Sequence, residues 1–217
     1  MRALQVRELL PDHAGAAVTQ LPIPGPKPGE VRVRVRAAAV NFPDLLMTGG
    51  AYQLKPELPF VSGLEFAGEV EALGDGVADW AVGDAVIGGN RFGAMAEYCV
   101  VPARSLRRKP GQLSWEAAAA YGVAYLTAYV ALVRCGRVEP GEWVLVHGAA
   151  GGVGLATVDL AKVLGARVIA AASSTAKRTA IGELYAPDAL IAAEPGFRET
   201  VKELTGGQGA DVIFDPV

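Results

Sequence analysis

The stretch "EWVLVHGAAGGVGLATVDLAKVLGARVIAAA", residues 142–172, decides the fold. An apolar run, a glycine-rich turn, a segment with helical spacing and a second apolar run follow one another, which is the order of a β-α-β unit. The rhythm continues through "TAKRTAIGELY" (175–185), "DALIAA" (188–193), "FRETVKELTGG" (197–207) and "ADVIFDPV" (210–217). Four apolar strands separated by helices predict a parallel sheet covered on both faces. Right-handed crossovers make it a doubly wound half-sheet.

The turn reads Ala149-Ala150-Gly151-Gly152-Val153-Gly154, an A-x-G-x-x-G version of the dinucleotide fingerprint with alanine at its first glycine. Gly151 lets a backbone approach a pyrophosphate and Gly154 lets helix pack on strand. With Ala150, Gly152 and Val153 they place the N–H groups of a helix N-terminus toward an anion. The alternative is a tight strand-to-helix turn that binds nothing. After "RVIAAA" an NAD site would set an acidic residue for the ribose 2′-hydroxyl; here stand Ser173, Ser174, Thr175, Lys177 and Arg178. Hydroxyls and cations attract a 2′-phosphate, so the expected cofactor is NADPH. Lys177 and Arg178 could instead be the solvated first turn of the next helix. A six-stranded dinucleotide sheet has two more strands than this chain, so a sheet truncated after its fourth strand is expected.

Up to about residue 110 the language differs. "EVRVRVRA" (30–37) alternates valine with arginine, giving one apolar and one wet face, as in an antiparallel sheet. "GEVEALGDGV" (68–77) and "WAVGDAVIGG" (80–89) repeat the theme around Asp75-Gly76 and Gly83-Asp84 turns. The 217 residues are 51% hydrophobic and 20% charged with a formal net charge of −3, which argues against nucleic acid or an anionic membrane as partner. Cys99 and Cys135 are widely separated, and no secretory signal opens the chain, so a cytoplasmic location is expected. "AAAAYGVAYLTAYVALV" (117–133) is uncharged, but its alanines, Gly122 and Thr127 fit a buried helix capped by Ser114 better than a membrane span.

In the order "AAAVNFPDLLMTGGAYQLKPELPFVSGLEFAGEVEALGDGV" (37–77), "VGDAV" (82–86), "AYLTAYVAL" (124–132), "HGAAGGVG" (147–154) and "LTGGQGADVIFDPV" (204–217), the chain resembles the zinc-independent NADPH:quinone oxidoreductase branch of the medium-chain dehydrogenase/reductase family. The resemblance implies a GroES-like, mostly antiparallel β lobe over 1–113 that carries the substrate and catalytic groups. It implies a partial Rossmann NADP-binding lobe over 114–217, an active site between the lobes and a homodimeric full-length protein. It also marks Asn41 and Tyr52 as polar groups near nicotinamide and substrate, and Thr127 as a nicotinamide contact. Each has a plainer alternative: Asn41 as a turn before Pro43, Tyr52 as a loop aromatic, Thr127 as a helix residue bonding its own backbone. Asp44 and Glu65 are acid/base candidates or paired structural carboxylates. His147 beside the loop reads as packing.

No catalytic or structural zinc site is expected. Gly63-Leu64-Glu65 stands where zinc-dependent members carry Gly-His-Glu, Asn41 stands for their first cysteine ligand, and segment 87–110 has Cys99 alone. The family often has an aromatic near the third Rossmann strand, where Ala192 and Ala193 stand here. Its Leu-Gly-Ala-Asp turn is replaced by "LYAPD" (184–188), which lacks the left-handed glycine. The expected activity is hydride transfer from NADPH to a quinone or similar electron-poor acceptor. Reduction of an enone or enoyl-CoA, with Tyr52 as proton donor, is the alternative. A non-catalytic NADPH-binding structural or sensor protein is the alternative of another class.

Overall fold

Valines that alternate with arginines can satisfy both only where one sheet face is dry and the other wet. In the computed structural model, which describes residues 1–216, the strand β3 (Glu30–Ala38) does this. Val31 and Val33 are fully buried with Phe66, Val70, Val86 and Val101. On the other face Arg32 Nε donates to Glu71 Oε2 at 2.5 Å and Arg36 Nη2 to Glu69 Oε2 at 2.7 Å. The Arg34 guanidinium lies 5.8 Å from the Tyr98 ring centre.

β3 sits inside a five-stranded antiparallel sheet of order β7-β3-β5-β6-β8, with β5 (Glu65–Leu73), β6 (Ala85–Gly89), β7 (Tyr98–Pro102) and β8 (Leu106–Arg108). A three-stranded antiparallel sheet pairs β1 (Arg2–Val6) with β2 (Ala16–Gln20) and β4 (Phe60–Val61). The short helix α1 (Phe42–Thr48) follows β3. The expected turns form, with Gly76 at φ +78° and Gly83 at φ +95°.

The chain divides into two compact units, Met1–Val123 and Ala124–Val217. Ser114 caps α2 (Trp115–Ala119) as expected, its hydroxyl accepting the Ala117 amide at 3.1 Å. The single buried helix expected over 117–133 is instead broken. α2 ends at Ala120, α3 (Tyr121–Tyr129) starts afresh, and Val130–Cys135 is π-helical. The break has a polar cause: the Val123 amide, which in an unbroken helix would donate to Ala119, donates to Glu65 Oε2 at 2.8 Å. Tyr121, Leu126, Tyr129 and Val130 are all more than 40% exposed, so the segment's outer face is not buried. Among the described residues no helix is long and apolar enough to cross a membrane.

The second unit is the doubly wound half-sheet read from the sequence. β9 (Trp143–Val146), β10 (Arg167–Ala172), β11 (Ala189–Ala192) and β12 (Val212–Phe214) are all parallel, in the order β11-β10-β9-β12. The helices α4 (Gly152–Val163), α5 (Thr175–Tyr185) and α6 (Phe197–Leu204) connect them. Val144, Val146, Val168 and Ala170 pack on Val158 and Ala161 of α4 and Ile181 of α5. The alternate residues Leu145, Ile169, Ala171 and Ile191 pack on Val201 of α6, so the strands are apolar on both faces. The motif at 204–217 is described as far as Pro216; Val217 lies outside the described residues.

The "LYAPD" turn differs from expectation. The left-handed helix end is kept without glycine: Ala186 itself takes φ 43° and ψ 60°, its amide closing on Gly182 O. Lys162 Nζ donates to the Ala186 carbonyl at 2.9 Å.

Candidate functional site

In an open parallel sheet a ligand crevice forms beyond the carboxyl ends of the strands, where the winding direction reverses. Here that point lies between β9 and β12, and the glycine-rich turn leaves the end of β9 beside it. Ala149 can replace the first glycine because its methyl is fully buried in the core under α4. The left-handed residue comes one position earlier, at Gly148 with φ +57°. Gly154 has no such latitude, since a Cβ there would overlap Gly148 O and lie 2.8 Å from Ala149 Cα. At Gly152 a Cβ would meet nothing within 4 Å, and at Gly151 only Gly148 O at 3.4 Å. Gly151, the N-cap of α4, leaves the first-turn amides without a side-chain cap. Ala150 and Val153 are partly buried against this turn, while Gly151 and Gly152 are exposed. The result is an open cradle of backbone donors at a helix N-terminus, suited to an anion.

After β10, Ser173, Ser174 and Lys177 are exposed beside the same carboxyl ends. Ser174 is the N-cap of α5, its hydroxyl accepting the Lys177 amide at 3.3 Å. Arg178 points back into the fold, with Nη1 on Ala172 O at 2.8 Å and Nη2 on Thr175 Oγ1 at 3.1 Å. Of the two cations, Lys177 is the one whose charged end is left to solvent or a ligand. His147 stands edge-to-face on Phe197, ring centres 4.9 Å apart. Thr127 is exposed on α3 and lines a cavity of about 720 Å³ with Val130, Cys135, Val212, Phe214 and Asp215.

In the first unit Asn41 is the N-cap of α1. Its amide donates to Asp44 Oδ2 at 2.8 Å and its side-chain Nδ2 to Glu65 Oε1 at 2.9 Å. Both carboxylates are about 3% exposed. Burial pushes each above the ordinary carboxylate range, against the pull of its hydrogen bonds. The structure thus brings Asn41, Asp44 and Glu65 together, with both carboxylates hydrogen-bonded to Asn41. Tyr52 is partly buried among Val6, Met47, Phe60 and Leu54. Among the described residues no group of three or more His, Cys, Asp or Glu is placed to hold a metal ion. One polar pair gave no sequence signal: Tyr125 of α3 donates to Asp159 Oδ2 of α4 at 2.5 Å, and burial and that carboxylate raise its phenol pKa.

Residues 27–111 match the family model of the alcohol dehydrogenase GroES-like domain, and residues 152–217 that of the zinc-binding dehydrogenase. The chain is 44% identical over 190 residues to the quinone oxidoreductase-like protein 2 homolog of Nematostella vectensis, covering 87% of this chain and 52% of that protein. A crystal structure of a probable oxidoreductase from Mycobacterium abscessus superposes with a TM-score of 0.93 at 41% identity, covering 100% of this chain and 68% of that one. The quinone oxidoreductase of Thermus thermophilus, whose complex with NADPH has also been solved, superposes at 0.84 with 34% identity over 99% of this chain and 66% of its own. This chain spans about half the length of the curated relatives it matches.

Proposed function

The chain belongs to the medium-chain dehydrogenase/reductase family, on its quinone oxidoreductase branch, and from that premise we propose that it is an NADPH-dependent reductase of a quinone or similar electron-poor acceptor, working without zinc. The observation that carries this reading is the uncapped N-terminus of α4 behind the open Gly151-Gly152 turn, with Ser173, Ser174 and Lys177 exposed after the neighbouring strand. The donor set fits NADPH. The α4 amides would hold the pyrophosphate, and the two hydroxyls with the Lys177 ammonium would hold the 2′-phosphate, where a carboxylate would repel it. When bound, NADPH supplies the hydride.

Arg178, held on Ala172 O and Thr175 Oγ1, shapes this loop and reaches a phosphate only through its remaining donors. Asn41, Tyr52 and Thr127 are our proposed contacts for acceptor and nicotinamide. A quinone needs only a solvent proton after hydride arrives; an enone also needs one at its α-carbon, for which Tyr52 is the proposed donor. The zinc-free reading rests on the side chains themselves: Asn41 and Leu64 stand where zinc-dependent members of the family carry a cysteine and a histidine ligand.

NADPH oxidation measured against a quinone panel and an enone and enoyl-CoA panel tests the proposal. Turnover with quinones supports it, turnover with the second panel alone moves the chain to the enone reductases, and NADPH binding with no turnover makes it a binding protein. Stoichiometric zinc in the purified protein would refute the zinc-free part.

A further inference from the structure

Glu65 is buried in the first unit, yet its carboxylate accepts from donors in two separate parts of the chain. Oε1 accepts Asn41 Nδ2 at 2.9 Å and Oε2 accepts the Val123 amide at 2.8 Å. Gly122 is what permits the approach, since a Cβ there would lie 2.9 Å from Glu65 Oε2. On the other side of Asn41, Asp44 holds the backbone amide at 2.8 Å. Asn41 is therefore clamped twice, its main chain by one buried carboxylate and its carboxamide by another. Starting a seven-residue helix does not require two buried carboxylates at one asparagine, each carrying a desolvation penalty, since an exposed Asp44 alone would serve.

We propose that Glu65 is a positioning residue: braced by the first turn of α3, it fixes the rotation of the Asn41 carboxamide so that Asn41 meets the reacting ligands in one orientation. The inference rests on the proposed function, in which Asn41 contacts acceptor and nicotinamide. Glu65 never touches the ligands; its effect passes through Asn41.

The test uses the full chain, NADPH and a quinone that supports turnover. Glu65→Gln and Asn41→Ala are each expected to lower kcat on the order of 10- to 100-fold with little change in the KM for NADPH. The double variant is expected to be no worse than Asn41→Ala alone, because the two act as a unit. Gly122→Ala displaces the carboxylate without removing its charge and should reproduce the kcat loss. Additive losses, or a lowered Tm with kcat intact, would overturn the inference. An independent readout is the side-chain amide resonance of Asn41, identified by its loss in Asn41→Ala. It should move in both Glu65→Gln and Gly122→Ala, and an unmoved resonance overturns the inference whatever the kinetics. A wild-type chain that reduces no acceptor would sink the proposed function instead. There the inference stands only if NADPH shifts the Asn41 resonance in the wild type and not in Glu65→Gln.

Discussion

Gly154 faces Gly148 so closely that a methyl group on the former would overlap the carbonyl oxygen of the latter. The contact joins the first turn of α4 to the end of β9, whereas Gly151, three residues earlier, has ordinary contact distances around it. The two glycines therefore serve different purposes. Gly154→Ala should destabilise the fold by about 1–3 kcal/mol through overpacking. Gly151→Ala should cost only a few tenths as an N-cap change, yet weaken NADPH by placing a methyl group at the cradle. Denaturant melts set beside NADPH titrations separate them; equal stability losses would show that both glycines only pack.

Lys177 provides the test of cofactor choice. Lys177→Ala should weaken NADPH on the order of tenfold and leave NADH nearly unchanged, because only the former carries the 2′-phosphate. Added salt should weaken NADPH more than NADH in the wild type. Equal loss of both cofactors would mean loop damage. Loss of neither would leave Lys177 a solvated residue of α5.

Ala186 holds a backbone conformation that alanine adopts at a cost and glycine does not. Ala186→Gly should raise the unfolding free energy by about 0.5–1 kcal/mol, provided Lys162 keeps its bond to the 186 carbonyl. A destabilised variant would show that the methyl group contributes more by packing than its conformation costs.

The pH dependence of stability has a component at Glu71. The Arg32 guanidinium holds its carboxyl below the ordinary value of 4.5. A depressed carboxyl contributes stability that is present above the unfolded-state value and lost as pH falls through the folded one. Glu71→Gln should lower stability by up to about 1 kcal/mol near neutrality, for a pair only partly shielded from solvent. The wild-type and variant profiles should converge on acidification; a gap that stays constant with pH would place its origin elsewhere.

What the sequence disclosed follows from the range of the forces involved. The Val/Arg alternation of β3, the apolar runs of β9 and β10, and Ser114 as a cap are local patterns, each readable within one element. The Glu65 clamp is not local: its donors lie 24 and 58 residues away, and no periodicity announces them. The same long-range bond split the helix expected over 117–133, because a carboxylate from β5 competes with Ala119 for the Val123 amide. Ala186 shows the opposite limit. The sequence lacked the glycine, but tertiary context imposed the left-handed turn regardless.

The charged face of β3 also bears on how the strand pairs. Were the strand to pair one residue out of step, Arg32, Arg34 and Arg36 would turn toward the space filled by Phe66 and Val101, and the valines toward water. Each misaligned pairing would bury guanidinium groups away from Glu69 and Glu71. β3 lies between β7 and β5, and a shifted pairing loses the buried valines and the ion pairs together, so the alternation of valine with arginine fixes its alignment on both neighbours.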